Sequence, residues 1–248
     1  MQAKGRCRAR AVIPQQAFDP ARGPNNQMPA ETTFRKTRNS KRKASGVACI
    51  FVDIGGVLLT DGWDHHARKR AATKFKLEWP EMEERHHLNW DIHQAGKLTL
   101  KQYLMRVIFH KERTFTLAQF QSFMFDQSKP HPKMIDLVSQ LKVRHGLKVA
   151  VVSNEGRELN SYRIRKFKLD AFVDTFISSC FIHMLKPDTD IFRLALDLTQ
   201  SPPEQVVYIE NTPMFVQVAE TLGIRSILHT DYGSTLEKLK SFGMLSNE

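Results

Sequence analysis

The sequence predicts an α/β fold, a doubly wound parallel sheet with an all-helical subdomain inserted after its first strand. Three observations lead there. From Pro130 onward, helical stripes alternate with short, continuously apolar segments, the pattern of strands covered on both faces by crossover helices. An earlier apolar strand, Ile50-Phe51-Val52, is separated from that region by residues 61–128, which read as helical with no convincing strand. Finally, the strands before Asp53, Ser153-Asn154 and Glu210-Asn211 end on polar residues, and open parallel sheets gather their ligands at the carboxyl ends of strands.

In chain order, residues 1–46 come first and are expected to be a disordered basic tail. They hold 11 of the 37 Lys and Arg but 2 of the 26 Asp and Glu, with too few large apolar residues to offset the entropy of ordering. The run Arg35–Lys43 could meet a polyanion, nucleic acid or an anionic membrane surface, through charge alone. A solvated tail is the simpler account. The remaining chain is nearly neutral.

Asp53 ends the first strand, and Gly55-Gly56 would let backbone amides approach a bound anion. Read alone, the same residues make an ordinary Asp-Gly turn. In residues 61–128, Thr99-x-x-Gln102 and Thr116-x-x-Gln119 are capping boxes, and Leu100, Tyr103, Leu104 and Val107 form one apolar helix face. Beyond Pro130, Met134, Leu137, Val138 and Leu141 make a stripe ending near His145-Gly146, followed by a strand over 147–152 and a basic helix over about 157–167. A strand around 172–177 comes next, then a helix opened by Pro187 with Ile191, Leu194, Ala195 and Leu198 on its stripe. The strand 206–209, a helix with Thr212 as N-cap and Pro213 at N1, and a strand over 224–228 complete the reading. The expected division is 47–60 and 129–248 as the α/β core, and 61–128 as the insertion.

With 248 residues, 41% hydrophobic and 25% charged, the chain has room for one sizeable core. No apolar segment is long enough to span a bilayer and the N-terminus lacks the apolar stretch of a secretory signal. Cys7, Cys49 and Cys180 have neither CxxC nor zinc spacing, so reduced thiols in a cytoplasmic protein are expected.

The ordered set Asp53, Ser153-Asn154, Lys186-Pro187 and Glu210-Asn211 resembles the four motifs of the haloacid dehalogenase-like (HAD) hydrolase superfamily. The resemblance covers nearly all of residues 47–235. It implies a Rossmann-like core with a helical cap at 61–128, and a phosphatase acting on a small phosphorylated metabolite. In that scheme Asp53 is the nucleophile that forms an aspartyl phosphate, and Lys186 assists it. Ser153, Asn154 and Lys186 hold the phosphoryl oxygens, while Asp53, Glu210 and the carbonyl of Gly55 hold Mg²⁺.

Two departures matter. Family phosphatases usually carry an acid–base Asp two residues after the nucleophile, where this chain has Gly55; and Glu210-Asn211 leaves two side-chain carboxylates for the cation. Asp64, His65 and His66 are the substitute acids that the sequence suggests. Three readings follow: a Mg²⁺-dependent phosphatase; a dehalogenase or phosphonatase-type hydrolase, which need not protonate an alkoxide; and a non-catalytic binding protein of the same fold. Trp63, Trp79, Trp90 and His65, His66, His86 and His87 read as packing or solvated residues of the insertion.

Overall fold

The computed structural model describes residues 46–245; the basic tail, Cys7 and the expectations attached to them lie outside these residues. Strand β1 (Cys49–Val52) is the centre of a five-stranded, all-parallel sheet in the order β3-β2-β1-β4-β5. All four of its residues are buried, as a continuous apolar run requires when both sheet faces are covered. Val52 is in register with Val151 of β2 (Lys148–Ser153) and Ile209 of β4 (Val206–Glu210). Asp53, Ser153 and Glu210 therefore emerge side by side at one edge. The outer strands are β3 (Thr175–Ser178) and β5 (Arg225–Leu228).

The insertion consists of α1 (His65–Phe75), α2 (Trp79–Gln94), α3 (Leu100–Val107) and α4 (Leu117–Asp126). Both capping boxes form, and Leu100, Tyr103, Leu104 and Val107 are buried together with Trp63, Phe120 and Met124. On the sheet, alternate residues feed separate cores because side chains along a strand alternate between faces. Ile50 and Val52 pack with Met134, Leu137, Val138 and Leu141 of α5 (Pro132–His145). Cys49 and Phe51 face Ile191, Phe192 and Ala195 further along the chain. Gly146 ends α5 in the left-handed conformation, where its missing Cβ removes the usual steric cost.

Next come α6 (Arg157–Lys166), the short α7 (Ser179–Ile182), α8 (Thr189–Thr199), α9 (Pro213–Thr221) and α10 (Tyr232–Ser241). Three local expectations change. The extended segment around 172–177 pairs only from Thr175; residues 169–171 form a 3₁₀ turn and Phe172 and Val173 pack on the core outside the ladder. Pro187 precedes α8 without opening it, since Asp188 accepts from Asp190 N as the cap, and Phe192 is buried where Leu198 is 55% exposed. Thr212 stands at the N-cap of α9 without a side-chain capping bond. Cys49 and Cys180 are buried free thiols. Among the described residues no helix is long and apolar enough to cross a membrane.

Arg68 of α1 donates to both oxygens of Glu83 on α2, at 2.9 and 2.6 Å. That hydrogen bond, against modest desolvation, lowers the Glu83 pKa to about 2. Because the folded-state value is depressed, the contribution is complete above the ordinary carboxylate pKa of 4.5 and is lost as pH falls toward about 2. Glu83→Gln should therefore cost about 1.5–3 kcal/mol at neutral pH. In urea unfolding, the gap to wild type should narrow through that acidic window.

Candidate active site

Asp53 continues the β1 ladder through its amide, which donates to the Ile209 carbonyl at 3.0 Å, and its side chain turns into a cavity of about 360 Å³ at the strand ends. Lys186 reaches the same point from the loop before α8. Its ammonium lies 3.1 Å from Asp53 Oδ1 and 2.6 Å from Glu210 Oε2, and also donates to the Tyr208 hydroxyl at 3.2 Å. Burial works against the lysine's charge, yet the two carboxylates raise its pKa above the ordinary value. Burial and then Glu210 push Asp53 up to about 7, with Lys186 and the Ser153 hydroxyl opposing. Two carboxylates around one ammonium leave the cluster with surplus negative charge.

Glu210 is fully buried. Beyond Lys186 it accepts from the Tyr208 hydroxyl and from the amide of Thr212, the latter at 2.9 Å. Burial, and then the charges of Glu210 and Asp53, hold the Tyr208 phenol well above its ordinary pKa, so it remains a donor. Buried Asp53 Oδ1 meets the Lys186 ammonium as an ion pair. One ammonium shared between two carboxylates leaves oxygen lone pairs that a cation or ligand can fill.

The structure brings Asp53, Gly55, Ser153, Asn154 and Lys186 to the cavity wall, with Glu210 directly behind Lys186 and Asp53. Asn154 has an additional part: its side chain accepts from the Lys186 amide at 2.8 Å and donates to the Lys186 carbonyl at 2.9 Å, tying the two loops together. Turned so that both ends of its amide are satisfied, Asn211 donates to Glu210 Oε1 at 2.9 Å and to the Gly55 carbonyl at 3.3 Å.

Several residues in the site escaped the sequence reading. Asp61, Gln94, Glu155, Leu159, Arg163 and Phe215 all line the cavity. Trp63 and Trp90 line it as well, so two of the three tryptophans assigned to packing also face the site. Arg163 is only 2% exposed and pairs with Glu155, itself 4% exposed. Its remaining nitrogens reach Ser128 Oγ at 3.0 Å and the carbonyls of Thr60, at 3.3 Å, and Asp61. Gly62, at φ +78°, lets the guanidinium in, since a Cβ there would stand 1.9 Å from it. Burial and then the Asp64 carboxylate raise the Asp61 pKa, with the Arg163 charge opposing.

The suggested substitute acids are placed otherwise. Asp64 touches the cavity, but accepts from Ala67 N at 2.6 Å as the cap of α1. His65 packs edge-on against Trp79 and faces Glu83 at 3.6 Å, and His66 lines a separate surface depression with Lys69, Arg70 and Thr73.

The match to known proteins agrees with this architecture. The family model of haloacid dehalogenase-like hydrolases matches residues 59–229, beginning just beyond Asp53. The chain is 26% identical over 161 residues to bifunctional epoxide hydrolase 2 of Mus musculus, spanning 29% of that protein. Over 131 residues it is 24% identical to a phosphorylated carbohydrates phosphatase of Thermotoga maritima, spanning 56% of it. In both comparisons the aligned region is under two thirds of the relative's length. The fold superimposes on the HAD family enzyme bt-2542 of Bacteroides thetaiotaomicron, crystallised with magnesium and inorganic phosphate, with a TM-score of 0.63 at 18% identity, covering 76% of this chain and 98% of that one. With the family model covering well over half its length, the chain belongs to the haloacid dehalogenase-like hydrolases.

Proposed function

We propose that the chain is a Mg²⁺-dependent phosphatase that hydrolyses a small phosphorylated metabolite through an aspartyl phosphate on Asp53. The observation that carries this reading is the convergence of Asp53, Lys186 and Glu210, the ammonium lying 3.1 and 2.6 Å from the two carboxylates at the floor of a cavity. The Asp53 carboxylate attacks phosphorus, forming the Asp53 O–P bond as the bond to the leaving oxygen breaks. Lys186 and the Ser153 hydroxyl are fixed donors for the equatorial phosphoryl oxygens, where charge gathers in the transition state. Water then attacks the phosphoryl group, releasing phosphate and restoring the carboxylate.

The donor set suits the metal. Asp53, Glu210 and the Gly55 carbonyl are hard oxygen ligands, Asp53 and Glu210 share a single ammonium, and Glu210 is oriented by Tyr208 and Thr212 as metal-bound carboxylates commonly are. Among the described residues no group of three or more His, Cys, Asp or Glu side chains could hold a metal. Affinity therefore rests on two carboxylates. Bound there, Mg²⁺ supplies positive charge to the phosphoryl oxygens.

The test is release of phosphate from para-nitrophenyl phosphate and a panel of phosphometabolites, with and without Mg²⁺. Glu210→Gln should raise the Mg²⁺ concentration for half-maximal rate by at least about tenfold. An unchanged metal requirement in the variant removes Glu210 from the ligand set. Halide release from a haloacid without phosphatase activity would favour the dehalogenase reading, and no turnover of either substrate the binding-protein reading.

A further inference from the structure

We propose that Asp61 is the acid–base group of this site, standing in the space left by the missing side chain of residue 55. The assignment rests on the phosphatase reading above. A Cβ built on Gly55 would lie 3.1 Å from Asp61 Oδ1 and 3.5 Å from Asp61 Cα. Gly55 lacks a left-handed φ, so space rather than backbone conformation is what residue 61 occupies. The carboxylate thus sits beside the residue two places after Asp53, on the wall of the same cavity.

The carboxylates Glu155 and Asp64 on the cavity wall, and Glu210 behind it, are each held by partners. Glu155 is closed on Arg163, Glu210 on Lys186, Tyr208 and Thr212, and Asp64 on the first turn of α1. Asp61 forms no ion pair among the described residues. Its backbone is nonetheless held: its carbonyl accepts from buried Arg163 and from Trp63 N, the latter at 2.9 Å. Arg163 is the positioning residue, leaving the carboxylate itself free to act.

Protons balance through both steps. In the first, the P–O bond to the leaving group breaks, and the protonated Asp61 carboxyl gives its proton to the departing oxygen. In the second, the Asp61 carboxylate takes a proton from the attacking water as the new P–O bond forms and the Asp53–P bond breaks. Asp61 is then protonated again, and the cycle closes.

The experiment compares wild type, Asp61→Asn and Asp64→Asn on glycerol phosphate, whose alkoxide needs a proton, and para-nitrophenyl phosphate, whose phenolate departs without one. In Asp61→Asn, kcat/KM for glycerol phosphate should fall by about 10²–10⁴-fold while that for the aryl ester falls by less than about tenfold. A burst of nitrophenolate should appear with phosphate retained on the protein, because the second step has lost its base. Asp64→Asn should show neither effect. Gly55→Asp alone should impair the enzyme, since it crowds a second carboxylate against Asp61, whereas Gly55→Asp combined with Asp61→Gly should recover the alkyl substrate. Equal losses on both esters, or none, would overturn the assignment. A wild type inactive on both would overturn the phosphatase reading itself.

Discussion

Asp53→Asn should abolish turnover, lowering kcat by at least about 10⁴-fold, as loss of the nucleophile does in enzymes that work through a covalent intermediate. The amide fits the same volume at the end of β1 but cannot attack phosphorus. Folding should survive unchanged. The wild-type carboxylate is buried beside Glu210, and its pKa is pushed up to about 7. Since the folded-state value is raised, ionised Asp53 opposes folding above its unfolded-state pKa of about 3.8. Measured in EDTA at neutral pH, the Tm of Asp53→Asn should therefore equal or exceed that of wild type. A retained rate would remove Asp53 from the chemistry, and a sharp drop in Tm would show that the carboxylate also supports the fold.

This opposition between stability and chemistry explains which parts of the site can be read in the sequence. The strand ends were legible because parallel pairing puts chain-distant residues at one edge: Asp53, Ser153 and Glu210 follow apolar runs whose burial fixes their register. Lys186 was legible only through the family resemblance, since a lysine before a proline carries no local signal. Asp61 and Arg163 were not legible. Asp61 follows the motif after a turn whose course is set by a side chain about a hundred positions away, and Arg163 lies on a helix that looks basic and solvated. A glycine at residue 62, immediately after an acid, was the available clue.

The same physics governs the misplaced helix face of α8. Leu198 fits an apolar stripe by spacing, but Phe192 is bulkier and meets Tyr208 edge-on, with ring centroids 5.4 Å apart, and so decides the rotation of the helix. Tyr208 in turn donates to Glu210. Packing on this side of the sheet therefore reaches the carboxylate proposed as a metal ligand through one buried hydroxyl, a connection that periodicity alone does not reveal.

Arg163→Met should be the most destabilising substitution at the site, costing about 3–5 kcal/mol, because it leaves the buried Glu155 carboxyl without its partner. Met fills much of the volume, so the loss reflects electrostatics and hydrogen bonding rather than a cavity. The effect should extend beyond the pair. Arg163 grips Thr60 and Asp61 where the chain leaves the sheet and Ser128 where it returns. These two crossings are also joined directly, Thr60 N donating to the Lys129 carbonyl at 2.8 Å and Thr60 Oγ1 to the Gln127 carbonyl at 2.9 Å. Proteolysis within residues 60–64 should accelerate in the variant, and alkyl phosphate turnover should fall with it as Asp61 loses its anchor. Arg163→Met combined with Glu155→Met should recover much of the urea-unfolding free energy, since two apolar side chains can replace a buried pair at little cost, but not the turnover. Recovery of both would mean that Arg163 serves only to neutralise Glu155; a single-variant loss below about 1 kcal/mol would mean that the pair is hydrated and holds neither crossing in place.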